Sequence, residues 1–498
     1  MPVTREAHAL NTLPASRDET DDSARRTESW LDANANVVTL GLVALNLVLK
    51  LSRIRAQGLW FDEAISLSQV QGPFDLARNL SLDASAPLYG LLLFAWTSVL
   101  GPSLEAARGL SAALSSLTAA LLFVFGRRFL DGRTGLFAAL LFTASRTQLY
   151  YGHEARAYAL VGLVCIASFY AFLLLLEEPT RRRTFAAAAL SAALVYAHYI
   201  AVFALVAQLL TALCTVHVRS RAMSAYVVSQ VLAAALFAPC AAYLLLSATP
   251  LPMATWIRPP VPGDILYVLN AFSGGPVLVG LYTAVFTTAI LLGRSGLATF
   301  DRDRVILLAL WLVAPLALDY AFSFAVPSFL YRYLLYASLA LFLLVAYALT
   351  RLPLPERGRF AVLAVILVPA AWGLWTEPIL RADWRAAAEV ALREHDEGVL
   401  TVVTPPHQLL PFAYHYSRES FADPTNMVDD MNRLGVYGVP HLAGLAETAR
   451  NEIHRIVVVS PADDTPTELD ELMAGAHYSR VRSREFTGVQ VNVFESSR

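Results

Sequence analysis

The chain has 498 residues, of which 56% are hydrophobic and only 16% charged, against about 25% charged in a typical soluble domain. Together with a mean hydropathy of +0.50, this excludes a wholly soluble protein and points to a polytopic α-helical membrane protein. The net charge of −2 says nothing about nucleic acid, but no basic cluster has the form of a nucleic-acid site, so no such partner is expected.

Residues 1–36 are polar and rich in Arg, Asp and Glu, with no apolar stretch of the signal-peptide kind. A disordered cytoplasmic tail is expected there. A helix needs about 20 mostly apolar residues to cross the hydrocarbon core. Spans are expected near 37–52, 108–126, 134–149, 156–176, 184–198, 200–216, 223–247, 277–293, 304–325, 333–350 and 360–376. The stretch 87–101 is also apolar, and the arginines decide how to read it. They cluster at Arg25-Arg26, Arg127-Arg128 with Arg133, Arg181-Arg182-Arg183, Arg219 with Arg221, Arg302 with Arg304, and Arg351, Arg357 with Arg359. All of these fall on one side only if 87–101 does not cross. That stretch is therefore read as a helix lying at, or dipping into, the outer surface. The result is about eleven transmembrane helices over 37–376, with the N-terminus cytoplasmic and a long first outer loop over 53–107.

Cys165, Cys214 and Cys240 all sit in apolar runs and offer neither a disulfide framework nor a metal spacing. From 377 the pattern changes. Asp383 to Arg393 reads as an amphipathic helix, Gly398–Val403 and Arg455–Val459 as strands, and Glu468–Gly475 as a helix. Ser483–Phe486 and Gln490–Phe494 read as a closing strand pair. About 120 residues suffice for a C-terminal soluble α/β domain over 377–498, placed extracytoplasmically by the topology.

The few charged groups on the outer side carry the functional signal, because ionisable groups at a membrane border are costly to keep. Asp62 and Glu63 follow Trp60-Phe61 just after the first span. Adjacent carboxylates in low dielectric have their pKa values pushed apart, so that one can serve as a general base. A helix N-terminus explains the same pair. Asp83 precedes Ala86-Pro87-Leu88-Tyr89, where a plain helix cap is the competing reading. Glu154, Arg156 and Tyr158 follow the third span, on the side that should be poor in arginine. Arg156 there is either a phosphate clamp or a side chain snorkelling to lipid headgroups. His198-Tyr199 interrupts an apolar run at the same level, and Arg332 stands between Tyr331 and Tyr333. Asp62, Glu63, Asp83, Glu154 and His198 could supply ligands to a divalent metal, although no His/Cys spacing marks a metal site.

Taken together, these motifs resemble the GT-C glycosyltransferases that use polyprenyl-phosphate sugars. That superfamily includes protein O-mannosyltransferases and the bacterial transferases that add aminoarabinose to lipid A. The resemblance covers roughly 37–376. It is strongest at Asp62-Glu63, Asp83 to Tyr89, Arg108, Glu154 to Tyr158, His198-Tyr199, Arg332-Tyr333 and Asp383-Trp384-Arg385. It implies Asp62 as catalytic base with Glu63 beside it, and Arg156 and Arg332 on the lipid phosphate. Asp83, Tyr89, Arg108, Glu154, Tyr158, His198 and Tyr199 would complete the substrate site. The family commonly has His-Pro-Pro or Lys-Pro-Pro where this chain has Ser85-Ala86-Pro87. The expected partners are a polyprenyl-phosphate sugar, membrane lipids, and a glycan, lipid or protein acceptor. The expected reaction is hexosyl or pentosyl transfer on the extracytoplasmic face of a bacterial inner membrane, with a divalent metal left open as cofactor. A secondary transporter would show polar groups at mid-membrane. A non-catalytic scaffold would merely present the C-terminal domain.

Overall fold

In a computed structural model the chain is described over residues 16–72, 86–246, 257–376, 381–440, 453–462 and 469–496. It forms a helical bundle followed by a mixed α/β domain. In chain order the first helices are α1 (Ser16–Ala33), α2 (Ala35–Leu51), α3 (Phe61–Ser68), α4 (Leu88–Leu100), α5 (Leu104–Phe129), α6 (Gly132–Ala144), α7 (Arg146–Tyr151) and α8 (Tyr158–Glu177). They continue with α9 (Arg181–Ala197), α10 (Val202–Thr215), α11 (Arg221–Leu246), α12 (Gly263–Ser273), α13 (Pro276–Arg294), α14 (Arg302–Phe322), α15 (Ser338–Thr350) and α16 (Glu356–Thr376). Their starts are set locally. Ser103, Asp131 and Thr180 each accept the backbone N–H three residues on, which satisfies an otherwise orphaned donor.

Among the described residues six helices are long and apolar enough to cross a membrane: α5, α8, α11, α13, α14 and α16. The pair α1–α2, bent by 76°, makes a seventh if it counts as one span. The expected count of about eleven is thus not met by full-length helices. At 134–149, 184–198, 200–216 and 333–350 the helices α6, α9, α10 and α15 have 13, 17, 14 and 13 residues. The reasons are local. Ser145 separates α6 from α7, and short 3₁₀ turns at Tyr199–Ala201 and Leu335–Ala337 take up the starts of two others. Every residue of α15 except Leu344 is buried, so it is surrounded by protein and needs no lipid-matched length.

The stretch at 87–101 is the 13-residue helix α4. At 1.5 Å per residue it reaches about 20 Å, too short for a crossing. The tail differs from expectation. Residues Ser16–Ala33 are helical, and the end of that helix is tied down. The Glu28 carboxylate accepts the Gly132 N–H at 2.7 Å, and Leu31 is buried.

Helices α5 and α8 form the centre of the bundle, with Phe169 stacked on Trp311 and Phe125 edge-on to the same indole. Gly126 and Gly135 let α5 and α6 touch, since a Cβ on Gly126 would lie 2.3 Å from the Gly135 Cα. Small residues at such crossings allow the close backbone approach on which membrane helices depend. On α11, α13 and α16 the large apolar side chains Val231, Leu236, Ile290, Val368 and Trp372 point outward instead, as lipid-facing side chains do.

One end of the bundle gathers the arginines. Arg351 pairs with Asp131 at 3.0 Å, Arg133 with Glu356 at 3.1 Å and Arg127 with Asp32 at 3.7 Å. Arg304 donates to the Leu130 carbonyl, and Arg128 pairs with Glu177. Clusters far apart in sequence therefore share one end.

The C-terminal domain begins with α17 (Trp384–Glu394), capped by Asp383. It continues through β1 (Val399–Val403), α18 (Leu409–Tyr416), α19 (Arg418–Ala422), α20 (Met427–Arg433), β2 (Val436–Gly438), β3 (Arg455–Pro461), α21 (Leu469–Gly475), β4 (Tyr478–Phe486) and β5 (Val489–Ser496). The sheet order is β2-β1-β3-β5-β4, with β1 parallel to β2 and β3 and with β5 antiparallel to β3 and β4. Val402, Val403, Val457, Val458 and Val459 are fully buried, as strands covered on both faces require. The sequence reading did not anticipate β2 or the helices between 409 and 433.

The shared arginine end yields a topology test. Single cysteines at the exposed positions Ser295 and Ser479, in a Cys214→Ser background, should differ in intact spheroplasts. An impermeant maleimide should label position 479 and spare 295. Equal labelling of both would contradict the assignment.

Candidate active site

The site grows from the turn after α2. Trp60 is in extended conformation and α3 starts directly behind it, so both carboxylates of Asp62-Glu63 fall in the first helical turn. Successive helix positions point about 100° apart, and the two residues meet different surroundings. Glu63 is 1% exposed and faces Arg108, itself 2% exposed, near the start of α5. Arg108 donates Nε–H to Oε1 at 2.8 Å and Nη2–H to Oε2 at 2.6 Å. Its remaining donors go to the carbonyls of Ile54, Gln57 and Gly58. Glu63 Oε1 also accepts the Ala155 N–H at 2.9 Å. Against the effect of burial, Arg108 and the Ala155 N–H hold its carboxyl below the usual range. All five N–H groups of an arginine are thus used within the protein at Arg108, which leaves none for the substrate contact expected from sequence.

Asp62 is partly exposed on the other side of the helix turn. Arg156 Nη1 lies 3.4 Å from both the Asp62 carbonyl and Ser66 Oγ. Arg332 sits 5.5 Å from the ring centres of Trp60 and of Tyr333. Tyr333 in turn is within electrostatic range of Arg332, Asp62 and Arg156, and its ring lies 5.0 Å from that of His198. Buried Tyr158 also feels Arg332, Asp62, Arg156 and Glu154. Asp62, Glu154, Arg156, Tyr158, His198 and Arg332 therefore converge. Tyr89 is set one layer back, with its hydroxyl 2.9 Å from Ser111 Oγ. Tyr199 turns away toward α11, where its hydroxyl meets Cys240 Sγ at 3.8 Å. Asp83 lies outside the described residues.

Sequence reasoning missed Arg381. It comes from the junction before α17, yet its Nη2 donates to Glu154 Oε1 at 2.9 Å and its guanidinium lies 3.6 Å from the Trp60 ring centre. The available signal was the one used for Arg156, an arginine on the arginine-poor side just past a span. It also missed the tyrosine layer, in which Tyr151 and Tyr331 share a hydroxyl hydrogen bond of 2.8 Å. Burial, with Glu63 and Asp62 nearby, pushes Glu154 up to about 8 against the pull of Arg381. Burial likewise lowers His153 to about 4, so its neutral ring donates Nδ1–H to the Leu149 carbonyl. Glu154 Oε2, Trp60 Nε1 and the hydroxyls of Tyr150 and Tyr158 are buried without hydrogen-bond partners in the protein. Buried polar groups are normally satisfied, and orphans grouped in one place mark where a polar ligand fits. Among the described residues no group of three or more His, Cys, Asp or Glu could hold a metal ion. The remaining expected ligand, Asp83, lies beyond them.

Residues 84–243 match the family described as dolichyl-phosphate-mannose-protein mannosyltransferase. No curated protein sequence matches the chain significantly. Among solved structures, ArnT from Cupriavidus metallidurans bound to undecaprenyl phosphate is similar at a TM-score of 0.57 and 14% identity, over 93% of this chain and 98% of that one. The archaeal oligosaccharyltransferase AglB from Archaeoglobus fulgidus, in complex with an inhibitory peptide and a dolichol-phosphate, is similar at a TM-score of 0.52 and 11% identity. That match covers 92% of this chain and 74% of the other. The chain shares its fold with both of these proteins. The helical bundle supplies α2, α5 and α8 as the frame for the charged cluster, and the junction to the C-terminal domain adds Arg381 to it.

Glu154 gives a pH prediction. Its pKa in the folded protein lies near 8, above an unfolded value of about 4.3. Its contribution to stability is therefore full below the unfolded value and is lost as pH rises toward 8. Thermal unfolding in detergent should show wild-type stability falling between pH 5 and 8, with a shallower fall in Glu154→Gln. Identical slopes would contradict the assignment.

Proposed function

We propose that the protein transfers a sugar from a polyprenyl-phosphate donor to an acceptor hydroxyl at the extracytoplasmic face of a bacterial inner membrane. The observation that carries this reading is the convergence of one partly exposed carboxylate, Asp62, with Arg156 and Arg332 at one rim of the bundle. That rim is opposite in character to the arginine-rich end. The topology proposed is about eleven crossings, with α4 at the outer surface. The domains proposed are a cytoplasmic segment over 1–36, the catalytic bundle over 37–376 and the outer domain over 377–498.

In this reading Asp62 removes the proton from the acceptor hydroxyl. The oxygen attacks the anomeric carbon, and the bond from that carbon to the phosphate oxygen breaks. The leaving polyprenyl phosphate takes the bonding electrons, and Arg156 and Arg332 stabilise its charge. Phosphate leaves without help from a strong acid, so one base and an in-line attack invert the anomeric carbon. Glu63 acts by position: locked to Arg108 and the Ala155 N–H, it fixes the turn that carries Asp62. The sugar ring would meet the orphaned groups of Glu154, Tyr150 and Tyr158. The lipid tail has an apolar surface beside this rim. Helix α12 exposes Ile265, Leu266 and Tyr267, and Tyr267 packs edge-on to Tyr331 at 5.5 Å. A divalent metal with ligands drawn from Asp62, Glu63, Asp83, Glu154 and His198 is part of the proposal, with no step assigned to it.

Two outcomes follow. Asp62→Asn should lower transfer by about 10²–10⁴-fold at unchanged expression and donor binding, measured with purified protein and radiolabelled donor. Wild-type turnover in that variant would reject Asp62 as base. Arg156→Lys keeps the charge but loses bidentate geometry, so it should impair donor use, and Arg156→Ala should impair it further. If Arg332 shares the phosphate, the double alanine variant should cost less than the sum of the singles. Full activity in both Arg156 variants would leave a lipid-snorkelling side chain instead.

A further inference from the structure

The C-terminal domain is seated on the first outer loop, and the seam contains a cavity. A Cβ on Gly58 would lie 2.3 Å from the Ala382 carbonyl, so the two backbones touch. The Leu104 N–H donates to the Tyr414 hydroxyl at 3.1 Å, and Phe61 packs edge-on to His407 at 5.2 Å. Between these contacts lies a cavity of about 730 Å³. Arg108 and Arg381, which pair with Glu63 and Glu154, form part of its lining, and Asp62 does not. Pockets of this size hold a ligand of one or two rings.

The lining is basic. Arg55, Arg108, Arg381, Arg385 and Arg418 face three carboxylates, Glu105, Asp383 and Glu389. Two of those carboxylates are already paired, Glu105 with Arg55 at 3.0 Å and Glu389 with Arg385 at 3.4 Å. Asp383 caps α17 through the Ala386 N–H. Arg418 has no ion pair among the described residues, and its guanidinium lies 3.4 Å from the Tyr414 ring centre. A planar cation fixed on an aromatic face is ready for a bidentate anion. His415 lines the same cavity, and its Nε2 is buried without a hydrogen-bond partner. Burial, with Arg418 and Arg385 close by, lowers this ring to about 4, so it stays neutral and offers a hydrogen bond rather than charge.

We infer that this seam cavity is a second ligand site, which receives an anionic saccharide bearing a phosphate or carboxylate. On the transferase reading above, the occupant is the charged recognition element of the acceptor. Only that identity rests on the reading; the site itself does not. Arg381 lines the cavity and also holds Glu154 and Trp60, so a bound acceptor would be sensed at the catalytic rim. Hydroxyls suit the polar lining, and Arg418, the lining arginine with no ion pair among the described residues, selects for negative charge.

The test is equilibrium binding to the full-length protein in nanodiscs of neutral phosphatidylcholine, with glucose 6-phosphate as probe and glucose as its uncharged counterpart. Glucose 6-phosphate should bind saturably and glucose at least tenfold more weakly. Arg385→Ala/Arg418→Ala should abolish the difference, and the milder Arg418→Gln should reduce it with an unchanged unfolding temperature. Asp62→Asn should bind the probe as wild type does, which separates failure of this site from failure of the transfer mechanism. Equal binding of the probe by wild type and the double variant would overturn the inference. So would displacement of the probe when phosphatidylglycerol is added to the nanodisc, because the cavity would then be a lipid-headgroup site.

Discussion

The buried pair Glu63–Arg108 is the interaction on which the rim around Asp62 depends. Two charges withdrawn from water lose several kcal/mol each in solvation, and only good geometry with further hydrogen bonds compensates. Here the compensation is complete, because Arg108 serves a carboxylate and three carbonyls while Glu63 takes one more N–H. The partners come from the turn after α2, the start of α5 and the loop between α7 and α8. Satisfying these two charges therefore fixes three segments relative to one another. Asp62 and Arg156, each next to an anchored residue, inherit their positions from it.

This arrangement separates the work of two adjacent carboxylates. Burial and an arginine make Glu63 structural, whereas partial exposure leaves Asp62 open to a reacting group. A third carboxylate, Glu154, is buried with one orphaned oxygen and a raised pKa. Its partner Arg381 arrives from the chain leading into the α/β domain. The rim that carries Asp62 and the C-terminal domain are thus joined electrostatically, and Arg381, the residue that joins them, also lines the seam cavity.

Much of this was legible in the sequence, for identifiable reasons. Each expected span coincides with a helix because long apolar runs between polar breaks have few other solutions. The arginine clusters were legible as one group because a single physical bias sorts them. Lengths were less legible: Ser145 and the turn at Tyr199 break apolar runs without changing their composition. The helix at Ser16–Ala33 was hidden by its charge, since what holds its end is a contact from Glu28 to the distant Gly132. Arg381 and Glu154, 227 residues apart, carry no local pattern that could reveal their pairing. Arg108 shows the limit from the other side, because an arginine at a functional border reads the same whether it holds a ligand or a neighbouring carboxylate. The short helices between 409 and 433 escaped because none is long enough to show a period.

The most direct measurement is a structure of the purified protein with undecaprenyl phosphate bound, determined by electron cryomicroscopy in nanodiscs. The phosphate is predicted to lie within hydrogen-bond distance of Arg156 and Arg332, with the lipid tail running along α12. The acceptor-facing side of Asp62 should remain open. A phosphate held at the arginine-rich end, or with neither Arg156 nor Arg332 in reach, would contradict the assignment of this rim as the site of sugar transfer.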